Sequence, residues 1–129
     1  MVRILLIDDD EQLRNAIIKL LTCEGYDITD TCDGNEGIRL HRENPFDLII
    51  TDLIMPGKSG FETIEEFKNT FPDVKIIAIS GITFDGEDEI FNRARRLGVQ
   101  YTITKPFTKK RLLSILRDIS CEPCEHRDA

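Results

Sequence analysis

The sequence has no apolar run that approaches the length of a bilayer span, and residues 1–7 are too short and too poorly patterned for a secretory signal. A cytoplasmic protein with no membrane partner is the expectation. Positive charge is also in short supply: 17 Lys and Arg face 24 Asp and Glu, leaving a net charge of −7 that repels nucleic acid. Basic residues gather only locally, at Arg93, Arg95 and Arg96 and at Lys109, Lys110 and Arg111. Solvated helix faces account for them, with a protein-binding face as the alternative. There is no internal repeat, no low-complexity segment and no linker before residue 120, so 129 residues make one domain with a single buried core.

Cysteines are few. Cys23 and Cys32 fall in regular elements and are expected to be small buried hydrophobes. Cys121, Cys124 and His126 offer three soft ligands, but no fourth ligand or second knuckle stands nearby. Residues 121–129 are therefore expected to be a disordered tail or the start of a linker, after a domain spanning 1–120.

What is present is an alternation of apolar β-rich runs with helical periods. Arg3 to Ile7 is nearly all apolar, as a strand covered on both faces should be. Asp10 to Glu24 carries Leu13, Ala16, Ile17, Leu20 and Leu21 at helical spacing, with Gly25 just past its end. The polar strand Asp27 to Thr31 suits a sheet edge, and Asp33 caps a helix to about Glu43. A third strand, Asp47 to Thr51, leads to Asp52 and a turn-rich loop from Met55 to Gly60. Phe61, Ile64, Phe67, Lys68 and Phe71 mark a helix closed by Pro72; the strand Val74 to Ile79 then ends at Ser80-Gly81. Asp85 to Leu97 is a helix with Ile90, Ala94 and Leu97 inward, stopped by Gly98. The strand Tyr101 to Thr104 leads to Lys105-Pro106, and Thr108 caps a helix with Leu112, Leu113, Leu116 and Ile119 on one face. Five βα units with short connections give an α/β fold: a doubly wound, five-stranded parallel sheet with helices on both faces. Ligands of such sheets bind at the carboxyl ends of the strands.

The residues at those ends carry the chemistry. Strand one delivers Asp8, Asp9 and Asp10, strand three Asp52, strand four Ser80 and strand five Lys105. One Asp there is explained by helix capping alone, and Asp10 is read as a cap or first-turn acid. Converging carboxylates, however, raise one another's pKa unless a cation neutralises them. A hard, oxygen-ligated cation, Mg²⁺, resolves the conflict at Asp8 and Asp9. Asp52 can also attack phosphorus as a carboxylate nucleophile, giving an acyl phosphate. Lys105 would then supply a cation and Ser80 a hydroxyl donor for the phosphoryl oxygens. Taken singly, Ser80 is equally a satisfied loop hydroxyl and Lys105 a surface charge; together, at successive strand ends, they argue for a site.

Over residues 2–119 the chain resembles the receiver domains of bacterial two-component response regulators. The matching pieces are Ile4 to Asp9, Asp47 to Gly57, Gly60, Ala78 to Gly81 and Thr104 to Phe107. The resemblance implies strand order 2-1-3-4-5 and phosphorylation of Asp52 by the phosphohistidine of a histidine kinase or phosphotransfer protein. It implies that Asp9 and Asp52 ligate Mg²⁺ directly, with Asp8 acting through water and the Ile54 backbone carbonyl completing the set. It also implies a cis bond before Pro106. Such a domain is no enzyme in the ordinary sense, since it catalyses only its own phosphoryl transfer and hydrolysis. The family's output face corresponds to the helix from Asp85, the strand at Thr102 and the helix from Thr108. That face would meet a downstream protein or output domain, in a monomer or a weak dimer strengthened by phosphorylation. In the family, residues at the positions of Ile54 and Ile82 flank the path of the hydrolytic water; two isoleucines there imply a long-lived phosphoryl group.

One departure concerns the switch position. An aromatic residue usually stands where this chain has Thr102, and Tyr101 is one place early, on the opposite face of the strand. The usual coupling of Ser80 to an aromatic therefore does not carry over. Gly81, in place of the commoner alanine, leaves room for a phosphoryl group. Three rivals are weaker. A flavodoxin-like cofactor binder needs a phosphate-cradling loop where Asp8-Asp9-Asp10 stands. A haloacid-dehalogenase-like phosphatase leaves Asp52 unexplained, and a receiver-fold module that takes no phosphate leaves the complete site unexplained. After Ile119 there is no room for a DNA-binding domain, so a stand-alone receiver is favoured over the receiver portion of a longer regulator.

Overall fold

The computed structural model describes residues 2–53, 59–81, 87–105 and 107–128, the side chains of 87, 88 and 120–128 excepted. Strands β1 (Arg3–Ile7), β2 (Asp27–Thr31), β3 (Leu48–Asp52), β4 (Ile76–Gly81) and β5 (Tyr101–Lys105) alternate with helices. These are α1 (Glu11–Cys23), α2 (Gly34–Glu43), α3 (Gly60–Thr70), α4 (Glu87–Arg96) and α5 (Lys109–Asp128). All strand pairs are parallel, in the order β2-β1-β3-β4-β5. Polar β2 lies at an edge, as its composition requires. Among the described residues no helix is long and apolar enough to cross a membrane.

Strand period two divides the core into two layers. Leu5, Ile7, Ile49, Ile76 and Ala78 face α2, α3 and α4, packing with Ile38, Phe67 and Ala94. Ile4, Leu6, Ile50, Ile77, Ile79 and Ile103 face α1 and α5, packing with Ile17, Leu21, Leu112 and Leu116. Helix ends follow their signals. Asp10, Asp33 and Ser59 each accept an N–H of the first turn they cap. Gly25 and Gly98 take φ of 90° and 102°, the left-handed conformation that closes α1 and α4. Tyr26 N–H then reaches back to Leu21 O, and Val99 N–H to Ala94 O.

Four details differ from the sequence reading. Cys23 and Cys32 are exposed free thiols rather than core residues: α1 buries the stripe of Ile17 and Leu21, and inward pointing at the end of β2 falls to Thr31. Phe91 and Ile115 join the buried set, because the covered stripes of α4 and α5 are wider than the spacing first indicates. Leu13 and Leu20 are only partly covered, and Ala16 is exposed. Finally, α5 runs on to Asp128, through the segment expected to be tail and past Pro123, a residue that disfavours a helix interior.

Candidate functional site

Parallel registry is what assembles the site. Ile7 lies opposite Thr51, Asp52 opposite Ile79, and Gly81 opposite Lys105. The residues at or just past four strand ends therefore meet on one rim of the sheet. Asp8 is fully buried, Asp52 is 5% exposed and Ser80 1% exposed, whereas Asp9 faces solvent.

Lys105 Nζ donates to Asp52 Oδ2 at 3.0 Å and stands 3.2 Å from Asp8 Oδ2. The second approach is an ion pair, and Asp8 Oδ2, buried, has no hydrogen-bond partner of good geometry beyond it among the described residues. Asp8 Oδ1 accepts the N–H of Asp10 at 2.9 Å. Burial pushes the Asp8 carboxyl above the usual range and the Asp52 charge adds to this, while the Asp10 N–H and Lys105 pull the other way. Lys105 is raised: burial opposes its charge, but the hydrogen bond and charge of Asp52 and the charge of Asp8 outweigh burial.

One oxygen each from Asp8, Asp9 and Asp52 lies within 4.8 Å of the others. Three converging carboxylates, one with an orphaned buried oxygen, fit a hard divalent cation. This is an acidic pocket able to bind a metal.

The backbone around Asp52 is held tightly. Leu53 N–H donates to Ile79 O at 2.9 Å, and Gly60 N–H donates to Leu53 O at 3.0 Å. A side chain on Gly60 would run into the Asp52 carbonyl oxygen, so α3 returns this close to β3 only as glycine. Ser80 stands one residue beyond the Asp52 neighbour Ile79, and its hydroxyl donates to Gly81 O at 3.2 Å. Asp10 is the N-cap of α1, the first of the two roles open to it in the sequence.

Of the switch residues, Thr102 lies beside Ala78 and is half-buried. Tyr101 packs instead with the α1/α5 layer, on the opposite face. Among the described residues no aromatic side chain takes the Thr102 position. Ile54 with its carbonyl, Ile82 and the bond to Pro106 lie outside the described residues, as do the side chains of Cys121, Cys124 and His126. Sequence reasoning passed over Arg14, whose guanidinium reaches both Asp8 O and Asp30. Its one signal was a basic residue four places after an acid that caps a helix.

Comparison with known proteins agrees with this geometry. The family model of the response regulator receiver domain matches residues 4–117. The chain is 33% identical over 120 residues to response regulator RR06 of Streptococcus pneumoniae, covering 90% of this chain but 54% of that protein. It is 31% identical over 118 residues to the chemotaxis protein CheY of Halobacterium salinarum, covering 91% of this chain and 95% of the other. It thus spans about half the length of one relative and nearly all of another. Among solved structures, a receiver domain protein from Clostridium thermocellum superposes with a TM-score of 0.84 at 28% identity, covering 96% of this chain and 98% of that one. NtrX from Brucella abortus shares the fold, with a TM-score of 0.89 at 24% identity over 99% of this chain and 29% of that one. Matching family, fold and strand-end residues lead to one conclusion: the chain belongs to the response regulator receiver domains, the phosphoacceptor domains of two-component signalling.

Proposed function

We propose that Asp52 accepts the phosphoryl group, from the phosphohistidine of a histidine kinase or phosphotransfer protein. The observation that carries this is the arrangement of Lys105, 3.0 Å from Asp52 and 3.2 Å from Asp8, over a pocket with an orphaned carboxylate oxygen. A carboxylate oxygen of Asp52 forms the new O–P bond as the P–N bond breaks, and the donor imidazole nitrogen keeps that electron pair. Lys105 is placed to pair with an oxygen of the transferred group, and Ser80 to donate its hydroxyl to another. Asp8, Asp9 and Asp52 would hold Mg²⁺, which offsets negative charge on the phosphoryl oxygens. The domain acts on no other substrate, so its only catalysis is its own phosphorylation and dephosphorylation.

Beside the site runs an apolar groove of about 600 Å³, lined by Leu13, Ala16, Ile17, Leu20 and Phe107 with Asp10 and Lys105 at its rim. Its place next to the acceptor suits docking of the donor protein. The surface of α4, β5 and α5, which borders this groove at Lys109, presents Arg95, Arg96, Lys109, Lys110, Arg111 and Arg117, a charged surface suited to reversible contact with a downstream protein or output domain. A cytoplasmic monomer, or a weak dimer strengthened by phosphorylation, fits this role. The test is intact mass after incubation with acetyl phosphate and Mg²⁺. The wild type should gain one phosphoryl group and Asp52→Asn none; uptake by the variant would remove Asp52 from the role.

A further inference from the structure

Arg14, in the first turn of α1, plays no part in the chemistry above, yet it is mostly buried beside the acidic pocket. One terminal nitrogen donates to the Asp8 carbonyl at 2.6 Å, and Nε donates to Asp30 Oδ2 at 3.0 Å. Helical side chains lean toward the helix N-terminus, which brings this one back over the β1–α1 turn.

The carbonyl it meets has lost its strand partner. Asp8 N–H donates to Thr31 O, the last rung between β1 and β2. In a parallel ladder the next donor, to the Asp8 carbonyl, would be the Asp33 N–H. That N–H donates instead to Thr31 Oγ1 at 3.2 Å, as the chain turns to cap α2. Arg14 fills the vacated place, and Asp30 fixes the angle of its planar fork.

We infer that Arg14 is a positioning residue for the cation pocket: by holding the Asp8 carbonyl it fixes the peptide plane joining Asp8 to Asp9, and so aims the exposed Asp9 carboxylate at Asp8 and Asp52. The inference rests on the reading of Asp8, Asp9 and Asp52 as a divalent-cation site. Peptide planarity makes the coupling direct, because orienting the Asp8 carbonyl orients the Asp9 N–H and Cα with it. Charge alone predicts the opposite: a cation beside an acidic pocket weakens binding of a second cation, so removing Arg14 would tighten it. The two accounts differ in sign.

The experiment is Mn²⁺ binding to the full chain, followed by the electron-spin signal of the free ion, with thermal unfolding as the folding control. Arg14→Ala should raise the Mn²⁺ dissociation constant about tenfold, the scale of losing a residue that orients metal ligands. Arg14→Lys should lie between, since one ammonium cannot hold both partners. Asp30→Ala should weaken binding less than Arg14→Ala. The double variant should bind no worse than Arg14→Ala alone, because both changes undo one device. Equal or tighter binding by Arg14→Ala, or additive losses, would overturn the inference. Should Arg14→Ala not fold, wild-type affinity in Asp30→Ala would overturn it instead. A wild type that binds no Mn²⁺ would remove the cation reading itself, and this inference with it.

Discussion

The two ends of the sheet handle buried ionisable groups in opposite ways. At the carboxyl end, Asp8 and Asp52 are buried side by side, and Asp8 keeps an unsatisfied oxygen. At the amino end, His41 is as deeply buried, 4% exposed, but its surroundings match it. Its Nδ1 accepts the Phe46 N–H at 3.1 Å, and its ring lies edge-on to Phe71 with centroids 4.5 Å apart. Phe67 packs edge-on as well, and Arg3 covers the outer face of Phe46 at 4.5 Å. Among the described residues, the amino end satisfies its buried polar group with neutral partners, whereas the carboxyl end leaves two buried carboxylates to share one ammonium, that of Lys105. The contrast locates function, because two buried carboxylates sharing one cation are a standing cost that folding alone gives no reason to keep.

The sharpest way to test the contrast is to supply the missing partner. Mg²⁺ at a hundred times its dissociation constant should stabilise the wild type by about 2.7 kcal/mol, through preferential binding to the folded state. Asp9→Asn should lose most of that gain, although Asp9 is exposed. Denaturant melts with and without Mg²⁺ measure both. Stabilisation of equal size in Asp9→Asn would place the ion elsewhere and dissolve the distinction between the two ends.

The amino end should instead reveal itself through acid. Burial, with the Arg3 charge as a second cause, lowers the His41 pKa below its usual value. The unfolded chain then binds the proton more readily than the folded one. Stability from this residue is therefore full above the unfolded pKa, near 6.5, and is lost as pH falls from there toward the folded value. The slope can approach, and cannot exceed, about 1.4 kcal/mol per pH unit for one group. The groups facing His41 are Phe46, Phe67 and Phe71, with Arg3 beyond Phe46. His41→Asn keeps an acceptor near the Phe46 N–H but cannot titrate. It should be less stable at pH 7.5 and show a flatter profile between pH 7 and 5 (order of magnitude as above). A variant as steep as the wild type would move the acid sensitivity to another residue.

How much of this was legible in the sequence differs between the ends for a physical reason. Buried parallel strands announce themselves as apolar runs, and the residue after each run must lie at the rim, so Asp8, Asp9, Asp52, Ser80 and Lys105 were placed by counting. Caps were legible at Asp10 and Asp33 because a capping bond is local. The His41 stack was not, because it joins α2, β1 and α3 across the fold and each member is an ordinary residue in its own segment. Arg14 was hidden likewise, since its value lies in a carbonyl that a neighbouring turn deprives of its partner. Helical spacing placed Leu13, Ala16 and Leu20 on one face of α1, but only the tertiary structure shows that Ala16 is left exposed and Leu13 and Leu20 only partly covered.

The smallest expected effect separates slack from tightness within the carboxyl end itself. Gly60 and Gly81 both border the site, yet a side chain on Gly60 would strike the Asp52 backbone, while one on Gly81 meets nothing within 4 Å among the described residues. Gly81 does not have positive φ, so an L-residue can take its backbone without strain. Replacing it by alanine restricts the unfolded chain more than the folded one. Gly81→Ala should thus stabilise the protein by about 0.5 kcal/mol. Phosphoryl uptake should persist, because the substitution removes neither the Ser80 hydroxyl nor the residue 81 carbonyl it rests on. Gly60→Ala, by contrast, should destabilise the fold by about 1–3 kcal/mol, as overpacked sites do, and disturb Asp52 with it. Paired denaturant melts and acetyl phosphate uptake on the two variants would decide. If Gly81→Ala kept its stability but lost uptake, the open space beside Ser80 would be room the phosphoryl group needs, and both ends of this loop-bordered rim would be equally full in the working state.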